Sequence, residues 1–370
     1  LRVERVCVRR LRLPLLRPFE TSFGRTEVKE FLLVSASAGG ETGHGECVAE
    51  VDPYYLPETC DTALHVLRDF LIPIALARDY AHPREVWPSL ARVRGHEMAK
   101  AALEMAVWEL HARREGKPLH AVLGGRGGRI AAGVSIGIQP DDGALVERVA
   151  AEVEAGYRRI KVKIKPGRDL ASVAAVRARF PHLPLMADAN SAYTLDDVLL
   201  FEALDRHALT MVEQPLGWDD VVDHAALQRA IATPVCLDES IRSADDARHA
   251  LDLGACRVVN IKPGRVGGFT PSLAVHDLCA ARGVPVWCGG MLESGIGRLA
   301  NVHLQTLPGF TLPGDTSASA RYFTEDLVDP PVTVSRDGWI EVPERPGIGH
   351  DIVWPRVERA TVARDTFTRA

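Results

Sequence analysis

Residues 160–163 read Ile160-Lys161-Val162-Lys163, a short β-branched run that closes on a charge. Four later runs have the same form: Leu185-Met186-Ala187-Asp188, Met211-Val212-Glu213, Val235-Cys236-Leu237-Asp238 and Val259-Asn260-Ile261-Lys262. From Lys163 through Asp188, Glu213 and Asp238 to Lys262 the steps are 25, 25, 25 and 24 residues. Each step is the length of one β/α unit. Strands buried on both faces read as short runs rich in Val, Ile and Leu. With 132–138 before them and 284–288 after them, seven such runs are expected, at 132–138, 159–164, 183–187, 210–212, 234–237, 258–261 and 284–288.

Helix signals fill the gaps. Thr194-x-x-Asp197 and Ser243-x-x-Asp246 resemble capping boxes, and Gly156 and Gly254 stand where helices should stop. Strands alternating with helices predict right-handed βαβ units and a parallel sheet. Seven in succession predict an α/β barrel, and the five charged groups then share its C-terminal rim, where barrel enzymes place their chemistry.

Outward from the barrel the texture changes. Residues 1–125 are mixed, with strands expected at 3–13 and 31–36 and helices at 57–70 and 97–113. Gly124-Gly125-Arg126-Gly127-Gly128 follows no strand-like run and is not G-x-G-x-x-G, so it reads as a boundary rather than a nucleotide loop. The barrel is expected over 126–319. Residues 320–370 leave the pattern. There Asp337-Gly338, between Val332-Thr333-Val334 and Trp339-Ile340-Glu341-Val342, predicts a hairpin. That segment is expected to return to the N-terminal strands, so that one α+β capping domain forms from both chain ends.

Bulk properties bound the function. The 370 residues hold a barrel of about 250 residues plus a second module. Apolar residues are 46% and charged residues 25%, as in a globular protein. A net charge of −5 without a basic run points away from nucleic acid, and no apolar stretch is long enough to span a bilayer. The seven cysteines lack a C-x-x-C pair and are expected as reduced thiols. Leu1-Arg2-Val3-Glu4 has no signal-like apolar segment, and the cytoplasm is the expected location.

Three carboxylates in one dry ring, Asp188, Glu213 and Asp238, cannot all stay ionised without a cation between them. An all-oxygen set suits Mg²⁺ best, with Mn²⁺ or Co²⁺ as substitutes, and the absence of His and Cys argues against zinc. Loss of a proton α to a carboxylate places a second negative charge on that group, which a nearby dication stabilises. Paired lysine and Mg²⁺ is the pattern of enolase-type sites. Lys161 and Lys163, two apart on a strand, share one face. Lys262 lies across the ring, so a planar enediolate between Lys163 and Lys262 is open to acid/base work from both sides. The plain alternative, strand-end charges bonded to loops, suits any one of these residues but not five at barrel spacing.

At these residues the chain resembles the enolase superfamily, muconate-lactonising subgroup, and within it the o-succinylbenzoate synthase/N-acylamino acid racemase family. The likeness rests on Lys161-Val-Lys163-Ile-Lys165-Pro-Gly, Asp188-Ala-Asn190-Ser-Ala-Tyr193-Thr and Glu213-Gln-Pro-Leu. It continues in Cys236-Leu-Asp238-Glu239-Ser240, Asn260-Ile-Lys262-Pro-Gly-Arg-Val-Gly-Gly, Trp287-Cys-Gly-Gly-Met291-Leu-Glu293-Ser-Gly-Ile-Gly and Leu312-Pro-Gly-Asp315-Thr-Ser.

The resemblance implies a (β/α)₇β barrel with a capping domain, in a homo-oligomer acting on a small-molecule carboxylate. It implies Asp188, Glu213 and Asp238 as metal ligands, and Lys163 and Lys262 as the acid/base pair. Lys161 would hold the substrate carboxylate. Asn190 would lie beside the substrate, with Glu239 and Asp315 in support. A lid is expected at Pro18–Gly24, with Phe19 and Phe23 as its apolar wall and Tyr54, with Tyr55, joining it. Ser135, Gly290 and Met291 would meet the substrate side chain. Arg265 reads equally as a substrate contact or a solvated loop charge. His96, His111, His276 and His303 read as structural. Two reactions fit the lysine pair: racemisation of an N-acylamino acid, often N-succinyl, and dehydration to o-succinylbenzoate. A non-catalytic barrel that binds a metal carboxylate complex is the reading from another class.

Overall fold

The computed structural model describes residues 1–369. The chain begins with β1 (Arg5–Glu20), β2 (Arg25–Ala38) and β3 (Glu41–Cys47), followed by a short β4 (Arg129–Ala131). Seven strands then alternate with helices: β5 (Gly133–Ile136), β6 (Arg159–Lys163), β7 (Leu185–Asp188), β8 (Val212–Glu213), β9 (Val235–Leu237), β10 (Val258–Ile261) and β11 (Val286–Cys288). The chain ends with β12 (Val328–Asp329), β13 (Trp339–Glu341), β14 (Asp351–Ile352) and β15 (Thr361–Thr368).

Strands β5 to β11 form one parallel sheet in sequence order. All seven expected runs supply a strand, and each strand is buried along its length except at Lys163, the rim position of β6. The capping signals also hold. Asp197 accepts the Thr194 N–H at 2.9 Å, Ser243 Oγ accepts the Asp246 N–H at 3.1 Å, and Gly254 ends its helix at φ 71°. The eighth position is filled by an extended segment rather than a regular strand. Phe310 bridges Val286 of β11, and Gly314 bridges Ala132 at the foot of β5. The Asp315 N–H donates to Cys288 O at 2.8 Å and the Gly133 N–H to Gly314 O at 2.7 Å, so residues 310–315 close the ring.

The second sheet is antiparallel, in the order β15-β1-β2-β3. Both chain ends therefore build one capping unit. The helix Glu97–Arg114 packs on it and is buried almost throughout, which explains its weak amphipathic pattern. Gly43 and Gly45 of β3 permit that contact, because a Cβ at either would overlap the helix backbone at Ala102, Ala106 and Leu110. The other expected helix starts at Cys60, capped by Thr59, and runs on to Leu76.

The hairpin expected around Asp337-Gly338 does not form. Gly338 turns the chain at φ 75°, but residues 332–334 are not a strand, and β13 pairs with β4 instead. The Trp339 ring decides the partner: the guanidinium groups of Arg129 and Arg158 lie 4.3 and 4.5 Å from its centre. The strand that returns to β1 is β15, through seven residue pairs from Arg5–Thr368 to Leu11–Thr361. Among the described residues, no helix is long and apolar enough to cross a membrane.

Candidate active site

Parallel register places the chemistry on the rim. Lys163 pairs with Asp188, and Asp188 with Glu213, so the three residues stand side by side at the ends of β6, β7 and β8. Beneath them Met186, Met211, Cys236, Val258 and Trp287 form an apolar plug inside the barrel. Lys161, one pleat below Lys163, lies 4.9 Å above the Trp287 ring. Its Nζ reaches Glu213 at 2.9 Å, Asp188 at 3.0 Å and Asp315 at 2.7 Å. Burial disfavours that ammonium, but Asp315, Glu213 and Asp188 outweigh burial and hold it above its ordinary range. Lys161 is therefore a fixed positive charge.

Lys163 Nζ bonds Asp188 Oδ2 at 2.6 Å and Asn190 Oδ1 at 2.5 Å. Asn190 adopts φ 42°, a left-handed turn that Asn tolerates, and its Nδ2 donates to Glu239 Oε1 at 2.9 Å. Burial and the nearby Asp188 raise the Glu239 carboxyl to about 7, and its Oε2 has no partner among the described residues. Burial works against the Asp188 carboxylate, but Lys163 and Lys161 prevail and lower it. Glu213 is raised, by burial and then by Asp188.

Across the ring, Lys262 Nζ bonds Asp238 Oδ2 at 2.7 Å and Tyr55 Oη at 3.1 Å. The Tyr55 hydroxyl also lies 3.2 Å from both Asp238 oxygens. Arg265 is fully buried, contacts Asp238 Oδ1, and donates to Ile241 O at 2.7 Å. It is neither a solvated loop charge nor a lining residue of the cavity. Arg159 binds the other face of Asp315, at 2.7 Å. The Asp315 carboxyl is held down at about 2, with Arg159 and Lys161 overcoming burial.

These groups surround a small cavity of about 60 Å³. Lys161, Lys163, Lys262, Asn190, Ser135, Gly290, Met291, Phe19 and Phe23 all line it. Ser135 Oγ, near the end of β5, is buried without a partner among the described residues. Met291 is buried against the capping unit, and its N–H donates to Glu293 Oε2 at 2.8 Å. The tip of the β1–β2 turn is pinned where Ser22 Oγ donates to Asn190 O at 3.1 Å. At its base Glu20 O accepts the Ile138 N–H at 2.9 Å, an approach that Gly137 permits.

Tyr54 is misplaced by the sequence reading. It is 63% exposed in an outer groove, while Tyr55 turns inward to line the cavity. Pro53 and Tyr54 lie in a turn and Tyr55 in a bend, so no strand alternation in the sequence says which ring faces in. The reading also missed Glu50, Arg298 and Tyr322 as lining residues. Arg298 is spent on backbone carbonyls of Ser317 at 2.6 Å and Glu293 at 2.7 Å.

Two family descriptions match the chain. "Enolase C-terminal domain-like" covers residues 144–356, and "Mandelate racemase / muconate lactonizing enzyme, N-terminal domain" covers residues 4–124. The chain belongs to the enolase superfamily. Within that superfamily it is similar to an o-succinylbenzoate synthase of Geobacillus kaustophilus, 53% identical over 99% of this chain and 98% of the relative. It is also similar to an N-succinylamino acid racemase of Thermus thermophilus, 48% identical over 98% of each. A solved enolase superfamily member from Listeria innocua superposes with a TM-score of 0.96 at 40% identity, covering each chain fully. The chain is thus an enolase-superfamily enzyme, which sets aside the non-catalytic barrel.

Enzymes of the enolase superfamily generally use a divalent metal ion. Among the described residues no three acidic, His or Cys side chains converge as a ready-made cage. The carboxylate oxygens of Asp188 and Asp238 face Lys161, Lys163, Lys262 and Arg265 instead. The donor set still fits a hard dication: Asp188 and Glu213 end β7 and β8, Asp238 directly follows β9, and burial and repulsion from Asp188 already burden Glu213.

Proposed function

We propose that this enzyme racemises N-acylamino acids, N-succinylamino acids foremost, and also forms o-succinylbenzoate by dehydration. Both reactions begin with removal of a proton α to a carboxylate. The observation that carries this reading is the placement of Lys163 and Lys262. Their ammonium groups line one cavity from β6 and from the residue after β10, with three strands between them.

Lys161, held cationic by Asp188, Glu213 and Asp315, binds the substrate carboxylate. Asp188, Glu213 and Asp238 would hold the metal, Mg²⁺ foremost. Bound there, it supplies positive charge beside that carboxylate. Lys163 removes the proton from one face of the α carbon, and protonated Lys262 donates its own proton to the other face, with the two roles exchanged for the opposite enantiomer. For dehydration, one lysine acts as base and the departing β-hydroxide takes up a proton. Asn190 and Tyr55 orient the two lysines. Phe19 and Phe23 exclude water, and Ser135, Gly290 and Met291 border the variable part of the substrate. The small molecule is held in a cytoplasmic homo-oligomer on this reading.

Racemase and synthase are read together because relatives of both names cover nearly the whole chain. Solvent deuterium exchange tests the proposal. With Mg²⁺ in D₂O, both enantiomers of an N-succinylamino acid should lose the α proton. Lys163→Ala and Lys262→Ala should each retain exchange from only one enantiomer. Retention of the α proton by the unmodified enzyme would sink the racemase, and normal exchange from both enantiomers in Lys163→Ala would remove that base.

A further inference from the structure

The reaction cavity, about 60 Å³, is far smaller than the roughly 300–1,000 Å³ that ligand pockets occupy. A second cavity of about 510 Å³ lies beside it on the same rim, bordered by the loops after β5 and β6. Phe19 and Tyr322 line both spaces and form the partition.

The larger cavity is basic. Its wall carries Arg17, Arg25, Arg148, Lys165, Arg168 and Arg321, with Glu20 as the one lining carboxylate. Lys165 pairs with Glu20 at 3.1 Å, Arg25 with Glu27 at 3.2 Å, and Arg168 with Asp142 at 3.6 Å. Glu152 is shared, contacting Arg148 and lying 3.0 Å from Arg321. Six cations thus meet four carboxylates, an excess of two positive charges in a protein of net charge −5.

Arg321 stands at the partition. It donates to Ser135 O at 2.5 Å, and its Nε is buried without a partner among the described residues. Burial, then repulsion from Arg321, holds the Arg148 guanidinium below its ordinary range. A low-dielectric cleft of one sign concentrates oppositely charged solutes and speeds their capture.

We propose that this cavity is a capture site for dicarboxylates, which takes the dianionic substrate from solvent before Phe19 moves and admits it. That the captured dianion is the substrate rests on the function proposed above. The preference for a dianion rests on the charges alone.

The test uses the full chain with Arg17→Gln/Arg168→Gln, at two accessible positions, and Arg148→Gln as a second variant. The first arm measures succinate and propionate binding by calorimetry at low ionic strength. Succinate should bind about tenfold more weakly to the variants, with propionate nearly unchanged. Equal succinate binding by all three proteins would overturn the proposal. The second arm compares N-succinyl and N-acetyl forms of one amino acid. The variants should lose about tenfold in kcat/KM for the dianionic form at unchanged kcat, and little for the monoanionic form. An equal loss for both forms, or none for either, would overturn the capture role, and weaker succinate binding with unchanged kinetics would mark a site for some other free anion. If the unmodified enzyme racemises neither form, the proposed function fails, while the succinate arm still decides the dianion site.

Discussion

Tyr55 and Lys262 are joined by a 3.1 Å hydrogen bond that crosses from the capping unit to the barrel. The same hydroxyl touches both oxygens of Asp238, so one phenol ties a proposed base to a proposed metal ligand. Tyr55→Phe keeps the ring, which lines the cavity and lies 6.5 Å from that of Phe23, and removes only the hydroxyl. The expected result is a fall in kcat of about five- to thirtyfold, for a loss of about 1–2 kcal/mol of positioning, with little change in KM. Polarimetric racemisation assays read both parameters.

Asp315 fixes Lys161 from the segment that closes the barrel, and Arg159 fixes Asp315. Asp315→Asn leaves two buried cations facing an amide. Breaking such a network typically costs about 3–5 kcal/mol. The variant should melt markedly earlier in differential scanning calorimetry and bind substrate more weakly. An unchanged melting temperature would show that Asp315 contributes nothing to the ring.

Metal removal is expected to abolish turnover. After exhaustive chelation, both racemisation and dehydration should vanish, and Mg²⁺ should restore both, with Mn²⁺ or Co²⁺ as partial substitutes. Full activity after chelation would be decisive against Asp188, Glu213 and Asp238 as metal ligands.

Glu104 crosses between the units at a different point. Its carboxylate accepts the Phe269 N–H at 2.7 Å and the Thr270 N–H at 2.8 Å, at the start of the helix Phe269–Ala281, and the Trp108 Nε1–H at 2.7 Å. Burial nevertheless raises its carboxyl from 4.5 to about 7. A group raised on folding holds more protons in the native state, so its contribution is full below pH 4.5 and is lost as pH rises through 7. Buried His44, lowered by burial to about 3, acts in the opposite sense: its contribution is present above pH 6.5 and lost as pH falls. Comparison with Glu104→Gln isolates the first effect. The melting temperature of the variant relative to the unmodified protein should change between pH 5 and pH 7.5, with the unmodified protein losing more on the alkaline side. A difference independent of pH would refute the assignment.

The barrel was legible because five of the seven strand runs end on a charged residue at nearly constant spacing. The capping unit was less legible. β3 carries glycines at 43 and 45 for close packing on the helix, and those glycines remove the apolar alternation by which strands are recognised. Within the site, Lys161, Lys163, Asp188, Glu213, Asp238 and Lys262 were readable from register. Arg265 was not, because its burial depends on Ile241 and Asp238, which are distant in sequence. The choice between Tyr54 and Tyr55 depended on the course of an irregular turn, which no periodicity announces.

The segment 310–315 shuts the ring and also delivers Asp315 to Lys161. Architecture and chemistry are therefore completed by one act of docking. A molecule whose barrel is still open lacks the Asp315 counter-ion of Lys161, the proposed carboxylate clamp, so partly assembled forms are expected to be catalytically silent. Appearance of activity during refolding consequently reports the final closure of the cylinder, whatever order the earlier strands follow.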